Sequence, residues 1–368
     1  MSDSSSMMLI GVGGGGAAIA RGVRRAFGEG LRFLTVDTDA SAAAEDGRFL
    51  LIGGDRLSGR GSGGNLVAAR LAAEDSMDSL DPEMEGVRLA IVVTSLGGGT
   101  GGGATLEIVK RLGSLGIRSV VFATTPFTFE GEDRQRSARG VMPMIEEAAG
   151  ATFFMPLDKL VGNAERLDDA MRRAVDTMAS AVTLFWRLVE KPGYLRLDVE
   201  RISHLVAKAG RGRFAAVSSQ GPDRARDIGD MLVRSPLLAA GSGPVRAILC
   251  GVLAGDDLRL SEISTISENV RAAFGSQTST FELATVNDEG TFSGRISVVL
   301  LLFEADAKDE PDDTPGSVMG NRHKKRPSKP LGVGPQGRGR FNNAEPTIWN
   351  SEDLDIPTFL RRGISLDI

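Results

Sequence analysis

The sequence predicts an α/β protein: a first domain built on a parallel sheet, a long central helix, a second α+β domain, a solvated linker and a C-terminal peptide. Three observations predict it. Between residues 8 and 166, short apolar runs, glycine-rich loops and helix-compatible stretches recur in that order, the pattern of parallel strands with helices on both faces. A single stretch from 167 to 189 keeps helical period throughout. From about residue 210 strand-like runs predominate.

The elements follow in order. After an N-terminal tail, 1–7, residues 8–16 (MLIGVGGGG) read as a buried strand running into a glycine turn, and AAIARGVRRAF as a helix. RFLTVDTD is a second strand ending at Asp37 and Asp39, and RFLLIG at 48–53 a third, followed by the loop GRGSGGN at 59–65 and the helix-compatible LVAARLAAED. LAIVVTS at 89–95 runs into LGGGTGGG at 96–103, then a helical TLEIVKRLGSLG and the strand SVVFATTPF. ATFFMP at 151–156 is the next strand. In the central helix, 167–193, Leu167, Ala170, Met171, Ala174, Val175, Met178, Ala181, Val182, Phe185, Leu188 and Val189 form a broad apolar face, and Lys191-Pro192-Gly193 ends it. The second domain, 194–303, holds the strands RFAAVSS, VRAILCGVLAG, STFELATVND and GRISVVLLLF and the helix SEISTISENVRAAF. Residues 304–345, rich in Pro, Gly, Asp and Lys, lack the apolar surface to fold and read as a disordered linker. Apolar residues return in 346–368, as in a tethered docking peptide.

Composition narrows the function. Over 368 residues, 41% hydrophobic and 25% charged side chains are globular values, and no apolar run approaches the ~20 residues of a membrane span. The N-terminus lacks the basic and apolar segments of a secretory signal, so the expected compartment is the cytosol. One cysteine, Cys250, and two histidines, His204 and His323, exclude a disulfide framework and argue against a Cys/His metal site. A Ser/His/Asp triad would rest on His204, in the helical ERISHLVAKAG, where a packed helix residue is the better reading. A net charge of −5 argues against broad nucleic-acid binding.

The chemistry therefore rests on glycines, carboxylates and arginines. Gly11, Gly13 and Gly16 satisfy GxGxxG, with Asp37 ending the next strand, the fingerprint of a dinucleotide-binding oxidoreductase. That fold needs one such loop, however, and this chain has three on successive strands, VGGGG, GSGGN and GGGTGGG. Three phosphate-cradling turns at one sheet edge point to a nucleotide wrapped from several sides, with Thr100 adding a hydroxyl near the phosphates or a phosphate-bound Mg²⁺.

LGGGTGGG resembles the tubulin signature GGGTGTG, with Gly102 where the second threonine would be. GVGGGGAA, VDTDA, GSGGN, TTPFTFEG followed by Arg134, MPLDKL and SPLL fall in the order in which the FtsZ family of bacterial tubulin homologues carries similar stretches, and the tail DLDIPTFLRR resembles that family's C-terminal peptide. The resemblance covers essentially the whole chain and implies a GTP/GDP-binding, self-assembling GTPase of cell division, cytoplasmic and at the mid-cell division ring. It implies that Gly14, Gly15, Gly16, Ala17 and Ala18 lie along the nucleotide, that Gly97, Gly98, Gly99, Thr100, Gly101, Gly102 and Gly103 wrap its phosphates, and that Ser62, Gly63 and Gly64 face the γ-phosphate. By the same resemblance Glu130 and Arg134 contact ribose and phosphate, the alternative being a surface ion pair of little worth. Asp176 would hydrogen-bond guanine, whose edge offers two N–H donors to a carboxylate.

Several positions depart from the family. Ala18, Asp37 and Leu157 stand where it usually has Asn, and Met171 where a Phe packs on the base, so weaker guanine affinity is expected. In the family, acidic residues of a loop of pattern NxDFAD reach the γ-phosphate of the next subunit. The corresponding stretch is RLDVER, residues 196–201: Asp198 keeps the first carboxylate, Arg196 replaces the Asn and Arg201 the second Asp. Two carboxylates three apart at a helix start share a face and can polarise a water; Glu200, two from Asp198, points elsewhere. Arg201 could stabilise transition-state charge or pair within its own chain, but it cannot accept a proton from water. Slow or absent turnover with assembly retained is expected, and a non-hydrolysing scaffold paralogue is the alternative to a working GTPase. In the tail, Asp355, Ile356, Pro357, Phe359, Leu360 and Arg361 would form a docking motif, possible as a short helix with acidic residues first and basic ones last, for membrane-tethering and regulatory division proteins. RHKKRPSK reads as solvated linker, because a single short basic cluster binds membranes weakly.

Overall fold

Every residue of the first strand, β1 (Met7–Val12), is buried, and its side chains alternate between two cores: Met7 and Leu9 on one face, Met8, Ile10 and Val12 on the other. Burial on both faces is what a parallel strand between two helical layers requires. The computed structural model describes residues 6–28, 30–43, 48–160, 166–191, 193–206, 210–239, 243–275, 280–304, 348–349 and 352–353.

After β1 come β2 (Phe33–Asp37), β3 (Phe49–Leu51), β4 (Leu89–Ser95), β5 (Arg118–Thr125), β6 (Ala151–Pro156), β7 (Gly210–Gln220), β8 (Val245–Ala254), β9 (Thr280–Asn287) and β10 (Arg295–Glu304). All ten form one sheet in the order β3-β2-β1-β4-β5-β6-β7-β10-β8-β9. Pairing is parallel from β3 to β7, antiparallel where β10 joins β7 and β8, and parallel again between β8 and β9. The helices are α1 (Gly13–Phe27), α2 (Gly54–Leu57), α3 (Leu66–Glu74), α4 (Met77–Leu80), α5 (Gly99–Ser114), α6 (Glu132–Ala148), α7 (Leu167–Glu190), α8 (Val199–Val206), α9 (Arg224–Val233), α10 (Leu260–Phe274) and α11 (Glu289–Phe292). The α/β class and the order of the strands are as the sequence predicts, whereas the 17-residue α6 and the shorter α9 are helices that the sequence reading did not include.

Two boundaries differ from expectation. The glycine stretches after β1 and β4 are the first turns of α1 and α5, so α5 begins at Gly99, ahead of the predicted TLEIVKRLGSLG. Glycine lowers helix propensity, but here close approach to neighbouring backbone, described below, outweighs it. Second, the sheet is continuous between the two halves of the chain: β6 pairs with β7 through Ala151↔Gly210, Thr152↔Arg211 and Phe153↔Gly212. Gly212 permits this, since a Cβ there would lie 2.4 Å from Phe153 Cε1. Residues Met1–Glu310 accordingly cluster as one compact unit.

The long helix α7 lies where the two halves meet. From Ala181 to Val189 all of its side chains are buried, Trp186 fully. Phe122 of β5 stacks on Phe153 of β6 at 5.1 Å and meets Phe214 of β7 edge-on at 5.4 Å and Phe185 of α7 at 6.1 Å. Arg187, also buried, faces the rings of Phe27 and Phe292 and pairs with Asp288 at 3.4 Å, tying α7 to α1 and α11.

The second unit, Pro311–Ile368, contributes two short described strands, β11 (Ile348–Trp349) and β12 (Glu352–Asp353), paired antiparallel as Ile348↔Asp353 and Trp349↔Glu352. The rest of the expected linker after Glu304 and the docking motif Asp355–Arg361, with its helix, lie outside the described residues. No helix among the described residues is long and apolar enough to cross a membrane.

Cys250 is fully buried on β8, where burial pushes its thiol pKa up to about 12. A thiol that is neither ionised nor exposed does not attack disulfide reagents. At pH 8 the native protein should react with none of a thiol-specific chromophore and with one equivalent in denaturant; rapid native labelling would contradict the packing of β8.

Candidate functional site

The carboxyl ends of β1, β2 and β4 lie side by side, with Val12 registered against Val36 and Thr94. The segments after these strands therefore emerge together, the usual place for ligands of an open α/β sheet. Three hydroxyls meet there. Thr38 Oγ1 is 2.7 Å from Thr100 Oγ1, and Ser62 Oγ 3.4 Å from the same atom. Below them the buried Thr94 Oγ1 lies 2.9 Å from Gly101 O and 3.2 Å from Val12 O, so its proton serves the starts of both α1 and α5.

Both helices open without a side-chain cap and without an acidic residue in the first turn. Their leading N–H groups thus have no partner from a capping side chain, and two positive helix ends face one hollow. That arrangement suits phosphate.

The glycines divide into two kinds. At Gly14, Gly63, Gly64 and Gly98 a Cβ would meet nothing within 4 Å, so these face open space, Gly63 and Gly64 at positive φ. The others are pressed against neighbours: a Cβ would lie 2.4 Å from Ser95 Cβ at Gly15, 2.3 Å from Val93 O at Gly16, 2.4 Å from Ser62 Oγ at Gly99, 2.0 Å from Ser95 O at Gly101 and 2.3 Å from Leu66 O at Gly103. Gly102 is less tight, with Leu66 Cδ1 at 3.2 Å. Gly97, at φ +98°, would press on Pro126 and Arg134. Most of LGGGTGGG therefore lets α5 approach α3 and β4, while Gly98 leaves the hollow open.

Around the hollow, Glu130 Oε1 accepts from Phe127 N at 2.8 Å and Oε2 from Arg134 Nη1 at 2.6 Å. The two residues pair with each other beside Gly97, with Arg134 more than half exposed. Asp37 is only 6% exposed and its Oδ1 accepts from Thr38 N at 2.7 Å; burial nevertheless raises its pKa above the ordinary carboxylate value. Asp39 differs: the Ser41 hydroxyl and amide hold its pKa down. Leu157 is buried in the core and offers no polar group. Ala17 is buried as well, while Ala18, Met171 and Asp176 line a cleft of about 1190 Å³ between α1 and α7. Arg21, Arg24, Arg25 and Arg172 line the same cleft, a basic wall whose signal in the sequence is the helical spacing of 21, 24 and 25. No group of three or more His, Cys, Asp or Glu among the described residues can hold a metal ion.

Asp198 is not among these residues. It precedes α8 and caps it, with Oδ1 accepting from Arg201 N at 2.7 Å. In the next residues Glu200 pairs with Arg88 at 2.7 Å, and Arg88 immediately precedes β4. The Asp198 loop therefore lies toward the amino ends of the parallel strands, whereas the glycine hollow is at their carboxyl ends, about 20 Å away for a seven-residue strand. Within one chain the carboxylate and the hollow are at opposite edges. The arginine that sequence analysis left with two alternatives pairs within its own chain, Arg201 Nε and Nη2 reaching Glu282 Oε2 and Oε1 at 3.0 Å each.

Two substitutions separate packing from ligand contact. Gly101→Ala should destabilise by about 2 kcal/mol or more, because its Cβ would meet backbone rather than a movable side chain. Gly14→Ala should leave the melting temperature equal or higher, yet weaken binding of any anion in the hollow. Asp37→Asn keeps an acceptor for Thr38 N and removes the buried charge. Since the folded pKa is raised, the carboxylate costs stability at neutral pH, and this cost vanishes as pH falls through the folded pKa. Thermal melts should show the variant at or above the parent at pH 7, with the difference closing as pH falls toward 4.

Comparison with known proteins agrees with this architecture. A family model described as the Tubulin/FtsZ family, GTPase domain, matches residues 6–165. The chain is 30% identical to the cell division protein FtsZ of Pseudomonas putida over 291 residues, covering 77% of this chain and 73% of that protein. It is 28% identical to the Pseudomonas aeruginosa protein of the same name over 371 residues, 98% of this chain and 90% of the relative. Among solved structures, an empty FtsZ dimer of M. jannaschii superposes with a TM-score of 0.74 at 23% identity over 85% of this chain and 95% of that one. A GTPγS-bound protofilament of CetZ2 from Haloferax volcanii gives 0.69 at 20% identity over 82% and 94%. On its sequence, the chain belongs to the Tubulin/FtsZ family.

Proposed function

We propose that the protein is a GTP-dependent cytoskeletal protein of bacterial cell division that assembles head to tail and hydrolyses GTP slowly at the junction between subunits. The observation that carries this reading is the separation of Asp198 from the glycine hollow by the length of the sheet. A second copy stacked in the same orientation brings its Asp198 edge to the hollow of the first, and a site divided in this way is complete only in the polymer. Exposed apolar residues at both edges favour such stacking: Tyr194, 89% exposed, and Leu195 beside Asp198, and Phe129, 67% exposed, and Met171 beside the hollow.

In this reading the first turns of α1 and α5 direct their N–H groups at the phosphates, Thr38, Ser62 and Thr100 donate hydroxyls near the γ-phosphate, and Arg134 reaches the α-phosphate side while Glu130 holds it in place. Asp176 accepts from the guanine edge in a cleft whose arginines offset the carboxylate's charge, with Met171 covering the base. Among the described residues, hydroxyl oxygens and Asp37 would lie near the phosphates and no acidic cage is present, which fits a Mg²⁺ held through the phosphates themselves. Such an ion, when bound, neutralises charge on the β- and γ-oxygens. Asp198 of the neighbouring copy, with only Oδ1 engaged in capping, orients a water through Oδ2 for in-line attack on the γ-phosphorus. The P–O bond to the β-phosphate breaks, giving GDP and inorganic phosphate. With the second acid of the family replaced by a cation, one carboxylate does the work of two, and turnover is slow. Binding of membrane-tethering and regulatory division proteins through Asp355–Arg361, cytoplasmic location and recruitment to the division ring complete the proposal.

One observation favours a second reading, a scaffold that binds GTP and assembles with almost no hydrolysis: Arg201 is held by Glu282 instead of facing outward. Phosphate release and light scattering, measured together against protein concentration with GTP and Mg²⁺, separate the two. Turnover per subunit that rises with assembly supports the GTPase; scattering without phosphate release supports the scaffold; absence of both removes the proposal. Asp198→Asn retains the helix cap, so it should lower turnover by ~10²-fold or more while leaving GTP binding to the unassembled protein unchanged.

A further inference from the structure

The segment that carries Asp198 is fastened to β9 on both sides. Before it, Gly193 N donates to Thr285 O at 2.7 Å, Thr285 N to Leu195 O at 3.0 Å, and Leu195 N to Thr285 Oγ1 at 3.1 Å. After it, Arg201 forms the two parallel bonds to Glu282, three residues before Thr285 on β9. Glu282 is mostly buried at 20% exposure, whereas Arg201 is 59% exposed, so a largely buried carboxylate holds a solvent-facing cation. Glu282 is also the first cause of the upward shift of the guanidinium's pKa. A forked pair of this kind spends two of the five guanidinium donors and compensates the charge.

We propose that Glu282 is a latch on Arg201 that sets the rate of GTP hydrolysis in the polymer. The inference rests on the function proposed above and adds a positioning residue to it. Arg201 is three residues from Asp198, at the start of the same helix, so whatever phosphate Asp198 approaches lies within the sweep of the Arg201 side chain. While latched along β9 the guanidinium is turned to its own chain and contributes nothing to a neighbour's triphosphate. Released, it is a cation beside the γ-phosphate, able to stabilise the charge that develops as the P–O bond breaks. Glu282 therefore suppresses turnover without touching the nucleotide. Because Arg201 is more than half exposed, the pair contributes little to folding, and removing Glu282 leaves the sheet intact.

The test compares the full chain with Glu282→Gln, Glu282→Ala and Glu282→Asp, and with Arg201→Ala placed on the Glu282→Gln background. Phosphate release at saturating GTP and Mg²⁺, light scattering, and binding of a fluorescent GTP analogue below the assembly concentration are read for each. Loss of the latch should raise kcat about tenfold or more with KM for GTP unchanged, in both Gln and Ala variants. Aspartate, which keeps the charge, should hold the rate near that of the parent, and Arg201→Ala should remove the gain. An unchanged or lower kcat in the Gln and Ala variants, or a gain that survives Arg201→Ala, overturns the latch. Variants that bind GTP but fail to scatter light overturn it too, since Glu282 would then serve the interface. If the parent binds no guanine nucleotide, the proposed function fails and takes the latch with it, an outcome visible in the binding measurement alone.

Discussion

Three stretches of backbone meet at the end of β4 with no room for a side chain between them. Gly16 of α1 faces Val93 O and Gly101 of α5 faces Ser95 O at distances no Cβ could occupy, and the Thr94 hydroxyl bridges both helix starts from below. Everything that makes the upper edge of the sheet suitable for phosphate follows from that crowding. It brings two uncapped helix ends to one hollow, seats α3 on α5 through Gly99 and Gly103, and puts Thr100 in reach of Thr38 and Ser62. Each glycine in a helix interior is unfavourable by about 0.5–1 kcal/mol in conformational entropy. A run of them persists only because larger residues would push the helices off the sheet.

Continuous apolar runs made the strands readable and helical period made α7 readable, since both need nothing beyond the local chain. The glycine run was readable as a site but not as a helix start: propensity argued against α5 beginning at Gly99, and the contacts that reverse that preference come from Ser62, Leu66 and Ser95, invisible to a local reading. Side-chain partners far apart in sequence were hidden for the same reason. Arg201 and Glu282 are 81 residues apart and Arg88 and Glu200 are 112 apart, and no spacing rule connects them. The joining of the two halves into one sheet depends on Gly212 lying under the Phe153 ring, a fit that only three dimensions disclose.

The two edges of the sheet carry opposite arrangements. The upper edge is rich in donors, from helix ends, hydroxyls and the arginines of the α1–α7 cleft, and holds one buried carboxylate, Asp37, at an energetic disadvantage. At the lower edge two charged pairs close within the chain, Glu200 with Arg88 and Arg201 with Glu282. The buried helix α7 spans the region where the two halves join, with Arg187 set between the rings of Phe27 and Phe292.

The partnership of Arg201 with Glu282 also ties the side chain tolerated at position 201 to the one at position 282. Restoring an acid at position 201 alone would set a new negative charge against a mostly buried Glu282 that has lost its counter-ion, with Asp198 three residues away. Such a chain is worse off than its parent before it gains anything at the nucleotide. An acid at position 201 is therefore accommodated only together with a change at Glu282, and the two positions act as one coupled unit.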